Sequence, residues 1–360
     1  MTHSSNEVDW WIALKSPGSG SEGSGSYAYV DAAQSTLAWT RNEGLHDHLG
    51  GPLAATLRPV YADSPPGYVM YNDEPPTSFC AQCWSPTLAH AKGVIAFNRG
   101  GGFWLMHSAP KFPDSPANSS YGGIYPSQMK HAQNFLCISL NATFLDAIGH
   151  VLQVTNLFIY SPSSLAADLA AAFPNLHRLV MQGQWPLQPA AQHRHLKLAS
   201  SGGEPLLAFT HSSTGYDGDR VRLFEDMLEP ALQTGMLVQS WSEGEGNDLP
   251  SYCGLPQSLF ASENIEGVSI NGTGLSWPCR HAEDRDHSKW AVSIRNAASD
   301  TGSVCIADQN RAQTQEVRGG SSICFTENQP LWEAFNDIIN SVEPCAQRAM
   351  CESADCYSVR

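Results

Sequence analysis

A mixed α/β (α+β) fold made of two similar halves is what this sequence predicts, on three observations. Strand-like and helix-like patterns alternate along the chain. A His-x-Lys step that leads into a strand, a turn and a second strand occurs twice, at residues 90 and 287. Finally, 360 residues, 42% of them apolar and 9% aromatic, can bury a sizeable core unaided.

In chain order, "VDWWIAL" and "YAYVDA" read as strands joined by the Gly/Ser-rich loop "KSPGSGSEGSGS". No Gly-Lys-Ser/Thr follows that loop, so it is no phosphate cradle. "GYVMYND", "GVIAFN", "GFWLMHS" and "NFLCISL" are four further strands. "SSLAADLAAAF" has helical composition and serines placed to cap it, and "NLHRLVMQG" returns to a mixed pattern. In the second half "LLAFTHSS" and "MLVQSWS" read as strands on either side of "VRLFEDMLEPALQTG", an amphipathic helix closed by Gly235. "PLWEAFNDIINSV" is a late helix. The halves divide at roughly residues 1–175 and 176–360, each a sheet flanked by helices, packed around one shared cleft.

The formal charge of −15 argues against gripping nucleic acid by general basicity at neutral pH. Protonating all 13 histidines would cancel all but two of those charges, so a polyanionic substrate is better tolerated in acid. Ten cysteines favour structural disulfides over buried thiols, and both over metal binding; Cys80 and Cys83 form the one CxxC. "NSS" at Asn118, "NAT" at Asn141 and "NGT" at Asn271 are glycan acceptors if the protein is secreted. No run approaches the ~18 apolar residues of a membrane helix, and "MTHSSNEVDWWIALK" lacks the basic start and apolar stretch of a signal peptide.

The duplicated His-x-Lys carries the chemistry. His90 and Lys92 enter the strand "GVIAFN", and the hairpin partner ends at His107 and Ser108. His287 and Lys289 enter "WAVSI", and the matching partner "VCIADQN" ends at Asp308 and Asn310. Side chains two apart on a strand share a face, so each unit converges an imidazole and an ammonium on one small volume. Two such units supply one imidazole to attack phosphorus, one to protonate the leaving oxygen, and two ammoniums for the equatorial oxygens.

At these residues a family resemblance appears. "GVIAFNRGGGFWLMHSAPKFP", "FLCISL", "EDRDHSKWAVS" and "VCIADQNRAQTQEVRGGSSICF", with "VDWWIALKSP", "YAYVD" and "YNDEPP" earlier, resemble deoxyribonuclease II. The likeness spans about Val8 to Glu343 and is looser from about Pro162 to Pro250. That family is similar to the phospholipase D superfamily, whose pseudo-symmetric halves each give one His-x-Lys to a shared site. The resemblance implies two phospholipase D-like halves. It also implies acid-active, metal-independent hydrolysis of DNA to 3′-phosphate ends through a phosphohistidine, with no cofactor. By matched motif, His90, Lys92, His287 and Lys289 are the catalytic set. His107, Ser108, Asp308, Asn310, Arg311 and Arg318 are supporting or substrate-binding residues. The family suggests a secreted or lysosomal protein, which the N-terminal stretch does not bear out.

Roles within the set follow from charge. If His107 and Asp308 each lie beside their own His-x-Lys, a charged His107 depresses His90 and Asp308 raises His287, making His90 the nucleophile and His287 the general acid. Asp308 orienting an attacking imidazole would reverse this. Arg311 and Arg318 read equally as DNA-backbone contacts or solvated loop residues. Trp104 and Trp290 read as core before base-stacking platforms. His281 and Asp284 could join His287 at a metal or simply be exposed, and Asp286 could fix the backbone approach to His287. Two other readings compete: a lipid phosphodiesterase of phospholipase D type, disfavoured by the lack of an amphipathic membrane segment, and a non-enzymatic binding protein held by disulfides or by zinc on Cys80 and Cys83. The substrate expected is DNA, with no membrane partner. Monomer and homodimer both stay open.

Overall fold

The computed structural model describes residues 7–18, 25–62, 67–83, 87–117, 120–182, 193–213, 220–242, 248–253, 260–280, 286–294 and 302–344. Asn118, His281, Asp284 and most of the Gly/Ser loop lie outside the described residues.

Two sheets form the frame. The first contains β1 (Trp10–Lys15), β2 (Tyr27–Asp31), β3 (Thr40–Asn42), β4 (Gly67–Asn72), β5 (Lys92–Asn98), β6 (Gly101–His107), β7 (Gln133–Leu140) and β8 (Ile159–Pro162). The second contains β9 (His193–Ala199), β10 (Pro205–His211), β11 (Met236–Gln239), β12 (Ser262–Ile270), β13 (Leu275–Pro278), β14 (Trp290–Ser293), β15 (Val304–Ala307), β16 (Gly320–Phe325) and β17 (Ile339–Val342). In space the first runs β3-β2-β1-β7-β6-β5-β4-β8 and the second β13-β12-β11-β14-β15-β16-β10-β9, with β17 on β12. The paths β4-β5-β6-β7-β1 and β11-β14-β15-β16-β10 are antiparallel throughout and match step for step. In each, the strand that ends the path precedes the other four in the chain, and the strand after the His-x-Lys lies second.

Alternation along these strands fills three apolar layers. Ile12, Ile95, Trp104 and Ile138 of the first sheet and Trp290, Val292, Ile306 and Ile323 of the second belong to one core shared by both halves. Trp10 meets Phe325 edge-on across it, with ring centroids 5.2 Å apart. Trp104 and Trp290 are core residues, Trp104 donating through Nε1 to the Tyr71 hydroxyl at 2.8 Å. The opposite faces are covered separately, by helix Gly51–Leu57 with Val60 on the first sheet and by Leu223–Leu232 on the second.

Several local readings are corrected. The serines before "LAADLAAAF" do not cap it: strand β8 ends at Pro162 and helix Ala167–Ala172 starts after Ala166, with no side-chain cap. "NLHRLVMQ" is a helix, Pro174–Gln182, packed against helix Ala142–Leu152 of the first half, so the 175/176 division falls inside it. The helix expected to close at Gly235 ends earlier, with Gln233 in the left-handed region at φ 55°. Helix Gln329–Asn336 stops short of "IINSV", which forms β17.

Cys80 and Cys83 are joined in a disulfide, which removes the zinc reading for that pair, and Cys305 joins Cys324 directly across β15 and β16. No helix among the described residues is long and apolar enough to cross a membrane.

Candidate active site

Each His-x-Lys sits where its strand begins. Lys92 opens β5 and Lys289 immediately precedes β14, so both histidines lie at the ends of central strands, where backbone from the other half reaches them. The His90 amide donates to the Gly319 carbonyl at 2.9 Å, and the His287 amide to the Ala132 carbonyl at 2.9 Å. Gly319 must be glycine here: a Cβ would stand 2.0 Å from the Thr155 carbonyl oxygen. The Lys289 amide donates to Asn134 Oδ1 at 2.7 Å, and the Asn134 amide donates to Ser108 Oγ at 3.0 Å. Ser108 also bonds Gln133, so it braces the end of β7 that receives the second half.

The two motifs share residue types but not surroundings. At the first, the buried carboxylate of Asp73 accepts from Lys92 Nζ and, at 2.8 Å, from Arg318 Nη2, and stands 3.9 Å from His90 Nε2. Burial alone would raise the Asp73 carboxyl, yet Lys92, His90 and Arg318 hold it well below the usual carboxylate range. Arg318, from the second half, also donates to the Leu88 carbonyl at 3.0 Å, so it ties the halves together beside His90. At the second motif the His287 ring stacks on His131 (centroids 4.0 Å apart) and packs at a tilt against Trp241 (4.5 Å). Lys289 Nζ donates to the His287 carbonyl at 2.7 Å. Asp286 is buried beneath, accepting from the Ser288 amide at 2.8 Å and Trp277 Nε1 at 2.7 Å, which fixes the turn into His287. Lys15 Nζ donates to the Met129 and His131 carbonyls, anchoring the segment that carries His131.

Both histidines are pushed toward the neutral form. Burial lowers His90 well below the usual imidazole value, helped by Lys92, Arg318 and Lys289 and opposed by Asp73. Burial lowers His287 as well, helped by His131, Lys289, Lys92 and Lys130. Nδ1 of His90 and Nε2 of His287 are buried without a hydrogen-bond partner. Burial and Lys92 pull Lys289 down to about 7, and burial pushes Asp308 up to about 7.

The supports expected at the two hairpin ends are not equivalent. The β5–β6 register pairs Gly93 with Met106, so His107 falls opposite Lys92, whereas the Ala307 amide donates to the Lys289 carbonyl and Asp308 is one place further on. One residue turns a side chain to the other face. Asp308 instead accepts from the Ser321 amide at 2.7 Å and from its hydroxyl. His107 packs between Phe112 and Phe135, and burial pulls it to about 3. It carries no charge in mild acid with which to depress His90, so the charge argument from the two hairpin ends fails at both. Asn310 is buried with Oδ1 unpartnered. Arg311 and Arg318 are both buried, which removes the solvated reading. Arg311 is committed to Glu225 at 2.8 Å and to the Leu249 and Pro250 carbonyls.

Sequence reasoning missed Asp73, Asn134, His131 and Trp241 as members of the site. Asp73 lies inside "YNDEPP", quoted only as part of a likeness; the others carry no local signal. Among the described residues no three His, Cys, Asp or Glu side chains gather as metal ligands.

Residues 1–345 match the family described as deoxyribonuclease II. The chain is 33% identical over 350 residues to deoxyribonuclease-2-alpha of Rattus norvegicus, covering 95% of this chain and 93% of that protein. It is 31% identical over 357 residues to deoxyribonuclease-2-alpha of Bos taurus (96% and 90% covered) and to plancitoxin-1 of Acanthaster planci (96% and 92%).

Proposed function

Given that the chain belongs to the deoxyribonuclease II family and is a deoxyribonuclease, we propose that it cuts DNA in acid, without a metal, through a phosphohistidine on one of its two His-x-Lys motifs. A single observation carries this reading: each motif histidine keeps one buried ring nitrogen without a partner, in the field of both lysines. Those two nitrogens are the nucleophile and the proton donor that a phosphodiester needs.

His90 is the nucleophile. The cluster beside it sums to one net positive charge, because Lys92 and Arg318 together outweigh Asp73, and this keeps the imidazole neutral while Asp73 orients it. His287 is assigned the general acid: burial, His131 and the lysines favour its neutral ring, and the Trp241 face together with the negative charge of a bound phosphate works against them to favour the imidazolium that must precede proton donation. The His90 nitrogen attacks phosphorus, the P–O5′ bond breaks, and His287 protonates the departing 5′-oxygen. Water, deprotonated by His287, then displaces His90 and leaves a 3′-phosphate. Lys92 and Lys289 neutralise the non-bridging oxygens throughout.

The charge state of the site supports activity in acid. Below about 7 Lys289 is charged and Asp308 neutral; above it Lys289 loses its charge and Asp308 gains one. One positive charge is thus lost and one negative charge gained around the phosphate over one pH window, a net change of two units, and anion binding weakens with it. Plasmid nicking at pH ~5 in excess chelator, with acid-quench trapping of a phosphorylated histidine and analysis of the ends, tests the reading. Retained nicking with 3′-phosphate ends is expected. A divalent-metal requirement or 3′-hydroxyl ends would overturn it.

A further inference from the structure

Away from the cleft, the greatest local excess of basic residues over acidic ones falls on an edge strand. Strand β9 reads HRHLKLA: four of its seven residues are basic and none acidic, in a chain of formal charge −15. His193, His195 and Lys197 are exposed and alternate with more covered residues, so all three share one face. Arg194 faces the other way, against His150 of helix Ala142–Leu152 at 2.7 Å.

The register relates this stripe to the catalytic end of the sheet. His193 pairs with His211 of β10, and His211 with Gly320 of β16. Gly320 has no side chain, so His211 Nε2 reaches past it to Gln309 Oε1 at 3.0 Å; a Cβ there would stand 3.2 Å from His211 Nε2. Continuing the β14–β15 register, in which Trp290 pairs with Ile306, sets His287 opposite Gln309. His193 therefore lies in the same cross-strand row as His287, on the same face, four strand spacings of ~4.8 Å away, or roughly 19 Å. At ~3.4 Å per nucleotide, a DNA strand cut at the cleft reaches the stripe about five or six nucleotides from the scissile bond.

We propose that His193, His195 and Lys197 form an anion-binding exosite for the DNA backbone, engaged by substrates that extend beyond the cleft. This rests on the nuclease reading above. Among the described residues, neighbouring groups do not neutralise it: His195 faces Phe209 and Lys197 faces Leu207 across the register, His193 faces the buried His211, and Asp226, the acid acting on His211, is itself paired with Arg222 at 2.7 Å. On the reverse face, Asp146 of helix Ala142–Leu152 is taken up by Asn175 and the Leu176 amide.

The test compares wild type with the triple variant His193→Gln/His195→Gln/Lys197→Gln at pH ~5 on two substrates: plasmid DNA, and a thymidine nitrophenyl phosphodiester too short to leave the cleft. For plasmid, KM is expected to rise roughly tenfold with kcat retained, and the log–log salt slope to lose about 2 to 3. The small ester is expected to be hydrolysed unchanged. A second variant, His193→Lys/His195→Lys, is expected to lower the plasmid KM at neutral pH relative to wild type. Unchanged plasmid KM and salt slope, equal losses on both substrates, or lost binding to anionic lipid vesicles with DNA kinetics unchanged would each overturn the exosite. Failure of the wild type to cleave the small ester would instead count against the nuclease mechanism.

Discussion

The two His-x-Lys motifs are the same three-residue pattern placed in opposite settings. Around His90 the chain builds a closed ionic cluster, with Asp73 held between Lys92 and Arg318. Around His287 it packs two rings, His131 stacked and Trp241 tilted, with Lys289 turned to a backbone carbonyl. One side chain is oriented by charge and the other by flat surfaces. The pattern supplies the same groups twice, and the proposed division into nucleophile and acid rests on their different surroundings.

The strongest way to break this comparison is to remove the imidazoles one at a time. His90→Asn and His287→Asn are each expected to lose roughly 10³–10⁴-fold in kcat on DNA. A phosphodiester with an activated phenolate leaving group needs no acid, so it should restore much of the His287→Asn rate and little of the His90→Asn rate. Rescue of the other variant would reverse the two roles.

Asp73→Asn comes next in size. Loss of its charge takes a buried counter-ion from both Lys92 and Arg318, at a cost of about 3–5 kcal/mol. A lowered denaturant midpoint is expected together with a fall in kcat of about 10² at 25 °C. A kcat that survives where the fold is intact would show that Asp73 only holds the halves together and does not orient His90.

The smallest expected effect sharpens the electrostatics. In Asp308→Asn the side chain is neutral at every pH, so the alkaline loss of activity should follow one proton, that of Lys289, instead of two. The rate at pH ~5, where burial already keeps Asp308 neutral, should stay within about threefold. An unchanged alkaline limb would exclude Asp308 from the pH response.

Much of the frame was legible because strands report themselves locally. Period-two alternation and bounding turns located β1, β4 to β7, β10, β11 and β15, and the duplicated motif marked the matching hairpins. Helix ends were harder. "NLHRLVMQ" becomes helical through packing on Ala142–Leu152, and "IINSV" becomes a strand because β12 offers it an edge; neither cause is local. The matched hairpins also misled, since equating their ends hid a one-residue difference in register that sends His107 and Asp308 to different faces.

From the residues themselves came the mixed class, the repeat, the two imidazole–ammonium pairs and, through likeness, the family. Tertiary structure alone decided that Asp73 and Arg318, 245 positions apart, close over His90. It alone also decided that the His131 and Trp241 rings pack on His287. Strand patterning is written within a few neighbouring residues. The charge felt by a buried imidazole is a sum over groups that only folding brings within a few ångströms, so no stretch of sequence states it.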